Sequence, residues 1–308
     1  MHKQLKKIEK LLFSGFSFYS KLCGNENTLI FHSSCDKITL ERMTSMNVLV
    51  IGDLVGKIGV EALKKNISNL KKEHHIDLTI VNAENSADGR GITKNILEDL
   101  YAYGTDVITM GNHTWGRKDS FQFIDEEERL IRPANYAENL PGKGSTVVKI
   151  KNKKVGIINL IGRVNMGSNF ECPFVIAEKE IEKLKEEGAE IIIIDFHAEA
   201  TAEKIALAEY LKEKATIIFG THTHVQTSDE EILETGLGYI TDIGMTGPKD
   251  SIIGMEYKAA LKRFLTQIPE RYACAEGRYM LNGCVFQIND TTNRVEKIER
   301  IKIIQKDK

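Results

Sequence analysis

The sequence predicts an α/β domain with a largely parallel inner sheet and an antiparallel portion. From Met46 onward, short apolar runs rich in β-branched residues alternate with segments of helical periodicity, the pattern of strand–helix–strand units. Two pairs of runs, 146–150 with 155–160 and 284–288 with 295–301, read instead as hairpins. There is no internal repeat, low-complexity stretch or Pro-rich linker to divide the chain from Met46 to its end.

In order, Asn47–Ile51 is a continuous apolar run ending in Gly52-Asp53. Val60–His74 carries apolar residues at helical spacing with lysines between them. Leu78–Val81 is a second strand and ends in Asn82-Ala83-Glu84-Asn85. Thr93–Tyr103 reads as a helix with Thr93 as its N-cap. Val107–Met110 is a third strand, closed by Gly111-Asn112-His113. Val155–Leu160, Ile191–Phe196 and Ile217–Phe219 are later strands, and Ala177–Glu187 and Ala202–Glu213 are the helices between them.

The chain has 308 residues, 42% of them hydrophobic, enough for a sizeable core. A net charge of −2 provides no field for long nucleic-acid tracts or an anionic membrane, while a small anionic substrate fits. Five cysteines, Cys23, Cys35, Cys172, Cys274 and Cys284, form no C-x-x-C pair. An odd number without that spacing suits reduced thiols and a cytoplasmic location better than a disulfide framework. No run approaches the roughly 18 apolar residues of a membrane span.

Residues 1–45 differ in texture. Lys3, Lys6, Lys7 and Lys10 precede a short apolar run, but no small-x-small cleavage site follows. The expectation is an N-terminal extension, disordered or added by choice of start codon, with an added helix as the other option. The functional domain is expected over 46–308.

The chemistry-bearing residues collect at strand ends. Asp53 ends the first strand, Glu84 and Asn85 the second, Asn112 and His113 the third, His197 a later one, and His222 and His224 the last. In open α/β folds the carboxyl ends of strands form the binding crevice. Carboxylates, amide oxygens and imidazoles brought to one rim suit a pair of metal ions, and two metals suit phosphoester hydrolysis. Several of these residues also have a structural alternative: Asp53 as a cap, Asn112 as a turn former, His197 as a hydrogen-bonded core histidine, His222 and His224 as a polar loop, whereas Glu84 has few structural uses at a strand end. Asp195 and Glu199 flank His197 and are placed to hydrogen-bond ligand imidazoles. Arg163 is either a phosphate contact or a surface arginine. Trp115 either walls the pocket, stacks on a base or packs in the core.

With these residues in view, the chain resembles the calcineurin-like metallophosphoesterases, and within them the YmdB family of bacterial cyclic-nucleotide phosphodiesterases. The markers are Ile51-Gly52-Asp53, Asn82-Ala83-Glu84-Asn85, Gly111-Asn112-His113-Thr114-Trp115, Asp195-Phe196-His197-Ala198-Glu199, Gly220-Thr221-His222-Thr223-His224 and the run Asp242 to Pro248. The Asp-x-His of the wider superfamily is absent after the first strand, and Glu84 stands where a bridging aspartate is usual; both departures are typical of the YmdB family. The resemblance implies a four-layer α/β/β/α sandwich. It implies two metals, with Asp53, Glu84 and His224 at one and Asn85 beside or bound to it. Glu84, Asn112, His197 and His222 would hold the other, with Glu84 shared. Iron is associated with the family, and manganese serves related enzymes. A metal-bridging hydroxide would attack phosphorus, and His113, free of metal, would be the general acid.

The function expected on this basis is hydrolysis of small cyclic nucleotides, with 2′,3′-cyclic AMP the substrate the resemblance suggests. The alternatives are a phosphomonoesterase or nuclease with the same site, or a regulatory binding module linked to RNA turnover and biofilm formation. An RNA-turnover protein partner and a homo-oligomer are further expectations from the resemblance.

Overall fold

The computed structural model describes residues 28–33, 36–41, 45–167, 169–270 and 273–306. The chain divides between Thr44 and Ser45. In the first part, β1 (Thr28–Ser33) and β2 (Asp36–Glu41) form an antiparallel hairpin, with Thr28 opposite Glu41. The expectation for the rest of residues 1–45 falls mainly outside the described residues.

The layers of the second part follow from strand alternation. In β3 (Ser45–Ile51), successive side chains point to opposite faces. Val48 and Val50 join one apolar cluster, whereas Leu49 and Ile51 join another. A strand with both faces buried has no polar face, so its sequence is a continuous apolar run. The helix α1 (Gly56–Glu73) covers the Leu49 face with Leu63, Ile67 and Leu70, spaced one turn apart. It begins four residues before the predicted start because Gly56, at φ 58°, turns the chain directly out of the strand end. Next come β4 (Leu78–Asn82), α2 (Lys94–Tyr103) and β5 (Val107–Thr109). Thr93 caps α2 as expected, its side chain accepting from the Ile96 amide. A short β6 (Leu130–Ile131) follows.

The second sheet opens with the expected hairpin, β7 (Ser145–Ile150) and β8 (Lys153–Ile161). The helix α3 (Pro173–Glu186) has proline at its first position, where no amide donor is needed. Then come β9 (Ile191–His197), α4 (Thr201–Leu211), β10 (Ile217–Thr221), β11 (Glu231–Ile232) and β12 (Gly238–Ile240). The chain returns to the first sheet through β13 (Gly247–Pro248), α5 (Tyr257–Thr266), β14 (Tyr279–Asn289) and β15 (Val295–Ile304). Helix α5 was not anticipated; it buries only Ala260.

The first sheet has the order β13-β14-β3-β4-β5-β6, with β15 on β14; the second runs β11-β12-β10-β9-β8-β7. In β9, Ile191 and Ile193 face the first sheet, and Ile192, Ile194 and Phe196 face α3 and α4. Three apolar layers therefore separate four structural layers: helices, sheet, sheet, helices. This is the α/β/β/α sandwich. In each sheet the central strands are parallel, β3-β4-β5 in one and β8-β9-β10 in the other, so their carboxyl ends share an edge.

Candidate metal centre

Every residue expected at the site lies on one of these two edges. The first sheet supplies Asp53 after β3, Glu84 and Asn85 after β4, and Asn112 and His113 after β5. The second supplies His197 at the end of β9, and His222 and His224 after β10. A buried polar network joins the edges beneath them. Asn82 Nδ2 donates to Asp195 Oδ2 across the gap (3.1 Å), and Thr109 Oγ1 donates to the same oxygen. The Met110 amide donates to Asn159 Oδ1 (3.2 Å).

His197 Nε2 is the centre of the cluster. Asn112 Oδ1 lies 2.9 Å from it, His222 Nδ1 3.0 Å and Glu84 Oε1 3.2 Å. One imidazole hydrogen cannot serve three acceptors, but a cation among four N and O donors can. Among the described residues, Glu84, His197 and His222 are the group whose ligand atoms all lie within 4.8 Å of one another. Gly111 makes this approach possible: a Cβ there would overlap Glu84 Oε2 and stand 2.5 Å from His197 Nε2.

Asp53 is fully buried, and its Oδ1 has no hydrogen-bond partner. Its Oδ2 accepts from the His222 amide (3.3 Å), and Oδ1 lies 3.8 Å from His197 Nδ1. A buried carboxylate oxygen left without a donor is costly unless a cation meets it. The donor set and this orphaned oxygen therefore fit a metal ion. Asn85 Nδ2 lies 3.0 Å from Glu84 Oε1 and 3.2 Å from His224 Nε2, while its Oδ1 is 2.7 Å from His113 Nδ1. Asn85 thus bridges Glu84, His224 and His113, with its oxygen turned toward His113.

The charges respond as such crowding requires. Burial raises the Asp53 carboxyl, against the lowering effect of His224 and His197. Burial would also raise Glu84, but the imidazoles of His197 and His113 outweigh it and hold the carboxyl well below the usual range. Burial would lower His197, yet the Glu84, Asp53 and Asp195 carboxylates push it up to about 9. His222 is pushed down to about 3 by burial and then by the neighbouring His197. Asp195 is pushed up to about 6 by burial, against hydrogen bonds from Thr109, Thr221 and Asn82.

The histidines are aimed by their other nitrogens. Thr221 Oγ1 donates to Asp195 Oδ1 (2.7 Å), so it accepts from His197 Nδ1 (2.9 Å) and leaves His197 Nε2 for the centre. Asp195 therefore acts on His197 through Thr221. Glu199 Oε2 lies 3.2 Å from His222 Nε2, which leaves His222 Nδ1 facing His197. His224 Nδ1 donates to the Ile253 carbonyl (2.8 Å), leaving its Nε2 inward. His222 and His224 hold φ of 97° and 67°, left-handed conformations that non-glycine residues adopt only when held there.

Sequence reasoning missed Thr221, Lys204 and the role of Asp242. Lys204 is 1% exposed and donates to the Thr221 carbonyl and Asp242 Oδ2. A signal for it exists in the sequence, since Lys204 lies on the helix stripe of Leu207, Ala208 and Leu211. Arg163 is exposed; its backbone amide donates to Glu203 and its guanidinium to Cys172 Sγ. Trp115 is half-buried in an aromatic row, stacked on Phe121 at 4.6 Å and edge-on to Tyr136 at 6.2 Å. Tyr136 in turn donates its hydroxyl to the Gly111 carbonyl (3.2 Å).

Residues 49–301 match the YmdB-like protein family. A 2′,3′-cyclic-nucleotide 2′-phosphodiesterase of Bacillus subtilis (strain 168) is 47% identical over 84% of this chain and 97% of its own length. The crystal structure of a phosphatase from Mycoplasma pneumoniae superposes with a TM-score of 0.80 at 37% identity, covering 85% of this chain and 94% of that one. A crystal structure of a hypothetical protein from Thermus thermophilus gives 0.79 at 34% identity, covering 85% of this chain and 100% of the other. With nearly the whole of the second part matched and the strand-end residues converged on one rim, this chain belongs to the YmdB-like family of calcineurin-like metallophosphoesterases.

Proposed function

We propose that this protein is a dinuclear-metal phosphodiesterase that opens small cyclic nucleotides, 2′,3′-cyclic nucleotides first among them. Metal-dependent phosphoester hydrolysis follows from the family and the ligand cluster. The observation that carries the two-metal reading is the convergence of Glu84, His197 and His222 donor atoms beside the orphaned Asp53 oxygen. Glu84, Asn112, His197 and His222 would hold one ion. Asp53, Glu84 and His224 would hold the second, with Asn85 next to it. The donor types accept iron or manganese. When bound, such a pair supplies positive charge to polarise the phosphoryl group and to acidify the attacking water.

The chain's own contribution is clearest at His113. Its backbone amide donates to Glu84 Oε2 (2.9 Å), which fixes the turn. Its Nδ1–H donates to Asn85 Oδ1, so the ring is oriented and Nε2 points away from the amide. With 28% of its side chain exposed, that nitrogen can reach a bound substrate. Carrying a proton on each nitrogen, the ring would hand the Nε2 proton to the departing ribose oxygen and keep its Nδ1–H on Asn85, general acid catalysis worth roughly 10²–10⁴-fold. The choice of 2′,3′-cyclic nucleotides is supported by the Bacillus subtilis relative, which is named for them.

Metal analysis of the purified protein, beside product analysis on 2′,3′-cyclic, 3′,5′-cyclic and monophosphate substrates, tests the proposal. The expected result is two ions per chain and ring opening of the 2′,3′-cyclic substrate to a nucleoside monophosphate. One ion or none, or release of inorganic phosphate instead, would overturn it.

A further inference from the structure

We propose that the buried Lys204–Asp242 pair is a positioning device that locks the His222–His224 loop in its left-handed conformation and thereby sets the metal affinity of the site; this rests on the metal-site reading above. Lys204 and Asp242 are 1% and 0% exposed. Lys204 Nζ reaches from α4 to the Thr221 carbonyl (2.8 Å) and Asp242 Oδ2 (2.8 Å). The same Oδ2 accepts from the Thr223 amide (3.1 Å) and the Thr223 hydroxyl (2.8 Å). Asp242 Oδ1 accepts from the Gly244 amide (2.8 Å). The residues on either side of His222 are thus fastened to one ion pair. Gly220 leaves room for the arrangement: a Cβ there would overlap the Thr241 carbonyl oxygen and stand 3.0 Å from Lys204 Cδ.

The energetics say why a salt bridge stands here. A buried ion pair is a poor way to gain stability, because desolvation offsets most of the attraction. It is a good way to fix geometry, since each charge demands its hydrogen bonds. Two histidines with positive φ in three residues need such over-determination. Neither Lys204 nor Asp242 is a proposed ligand. Both act through Thr221 and Thr223, the residues adjoining His222.

The test compares wild type with Lys204→Met and with Lys204→Met/Asp242→Asn, which removes both charges and so leaves neither buried without its partner should the single variant fail to fold. Amide hydrogen exchange is followed in metal-free protein, and binding of Mn²⁺ is followed by titration. Amides of residues 222–224 and 244 are expected to exchange at least about tenfold faster while those of β3 and β4 stay unchanged, and Mn²⁺ affinity is expected to fall about 10–100-fold. Unchanged Mn²⁺ affinity, or faster exchange spread evenly over the domain, would overturn the proposal and leave a merely structural pair. Wild type that takes up no metal would sink the reading of the site instead, and the exchange pattern would then decide the lock by itself.

Discussion

The two sheets make unlike contributions to one rim. The first offers carboxylates and amides, Asp53, Glu84, Asn85 and Asn112, together with the ring of His113. The second offers only imidazoles, from His197, His222 and His224. The carboxylate side is held largely by backbone amides: the Glu84 amide donates to Asn82 Oδ1 within its own turn, the His113 amide to Glu84 across two strand ends, and the His222 amide to Asp53 from the other sheet. The imidazole side is held from outside by Thr221, Glu199, the Ile253 carbonyl and the Lys204–Asp242 pair. A carboxylate can bind through either oxygen and tolerates small rotations. An imidazole offers one lone pair in the ring plane, so its tautomer and orientation must be set by further groups.

The strongest way to break this division is Glu84→Gln, which removes the anion that both sides face. Turnover is expected to fall by at least about 100-fold, more than the loss of a group that only orients a ligand. Metal content is expected to drop with it; a variant that keeps the wild-type metal content and full turnover would refute the proposed shared role. His113→Ala comes next and sharpens the comparison, because His113 belongs to the carboxylate side without being a proposed ligand. Turnover should fall about 100-fold at unchanged metal content. Unimpaired turnover would remove His113 from the chemistry.

The smallest effect concerns pH and the imidazole side alone. In metal-free protein, His197 is pushed up to about 9 by Glu84 and Asp53 against the effect of burial. A histidine raised above its unfolded value contributes full stability below pH about 6.5, and loses it as pH rises through about 9. The gap corresponds to roughly 3 kcal/mol, or about 5–10 °C in Tm for a domain of this size. The melting temperature of metal-free protein should therefore fall between pH 6.5 and 9. On the proposed ligand set, metal would occupy the His197 nitrogen in place of a proton, so the metal-loaded protein should show a flatter profile.

Much of the fold was legible because its strands are buried on both faces. Runs such as Ile191–Phe196 need no partner information to be read. The site was legible because strand ends in such folds are binding positions, and polar residues stood at each one. What stayed hidden depends on contacts distant in sequence. Lys204 is a lysine in a helix, which ordinarily means a solvated face, and only the fold shows it meeting Asp242. The two-residue strands β6, β11 and β13 are too short to carry a period. Helix α5 carries Tyr257, Leu261, Phe264 and Leu265 at helical spacing, so its signal was in the sequence, yet that stripe is exposed rather than turned into the core.

The layer between the sheets has a further consequence. Val48, Val50, Ile80, Ile193, Ile217 and Phe219 fill it, and no covalent link spans it among the described residues. The spacing of carboxylates from imidazoles is therefore gauged by the few hydrogen bonds that cross between the sheet edges, Asn82 to Asp195 and Met110 to Asn159, and by the thickness of the oily filling behind them. Interiors of this density register the gain or loss of a single methylene. Drift in the aliphatic interior of this protein is for that reason also drift in the spacing of Glu84 from His197 and His222, and a substitution far from that cluster can alter its geometry.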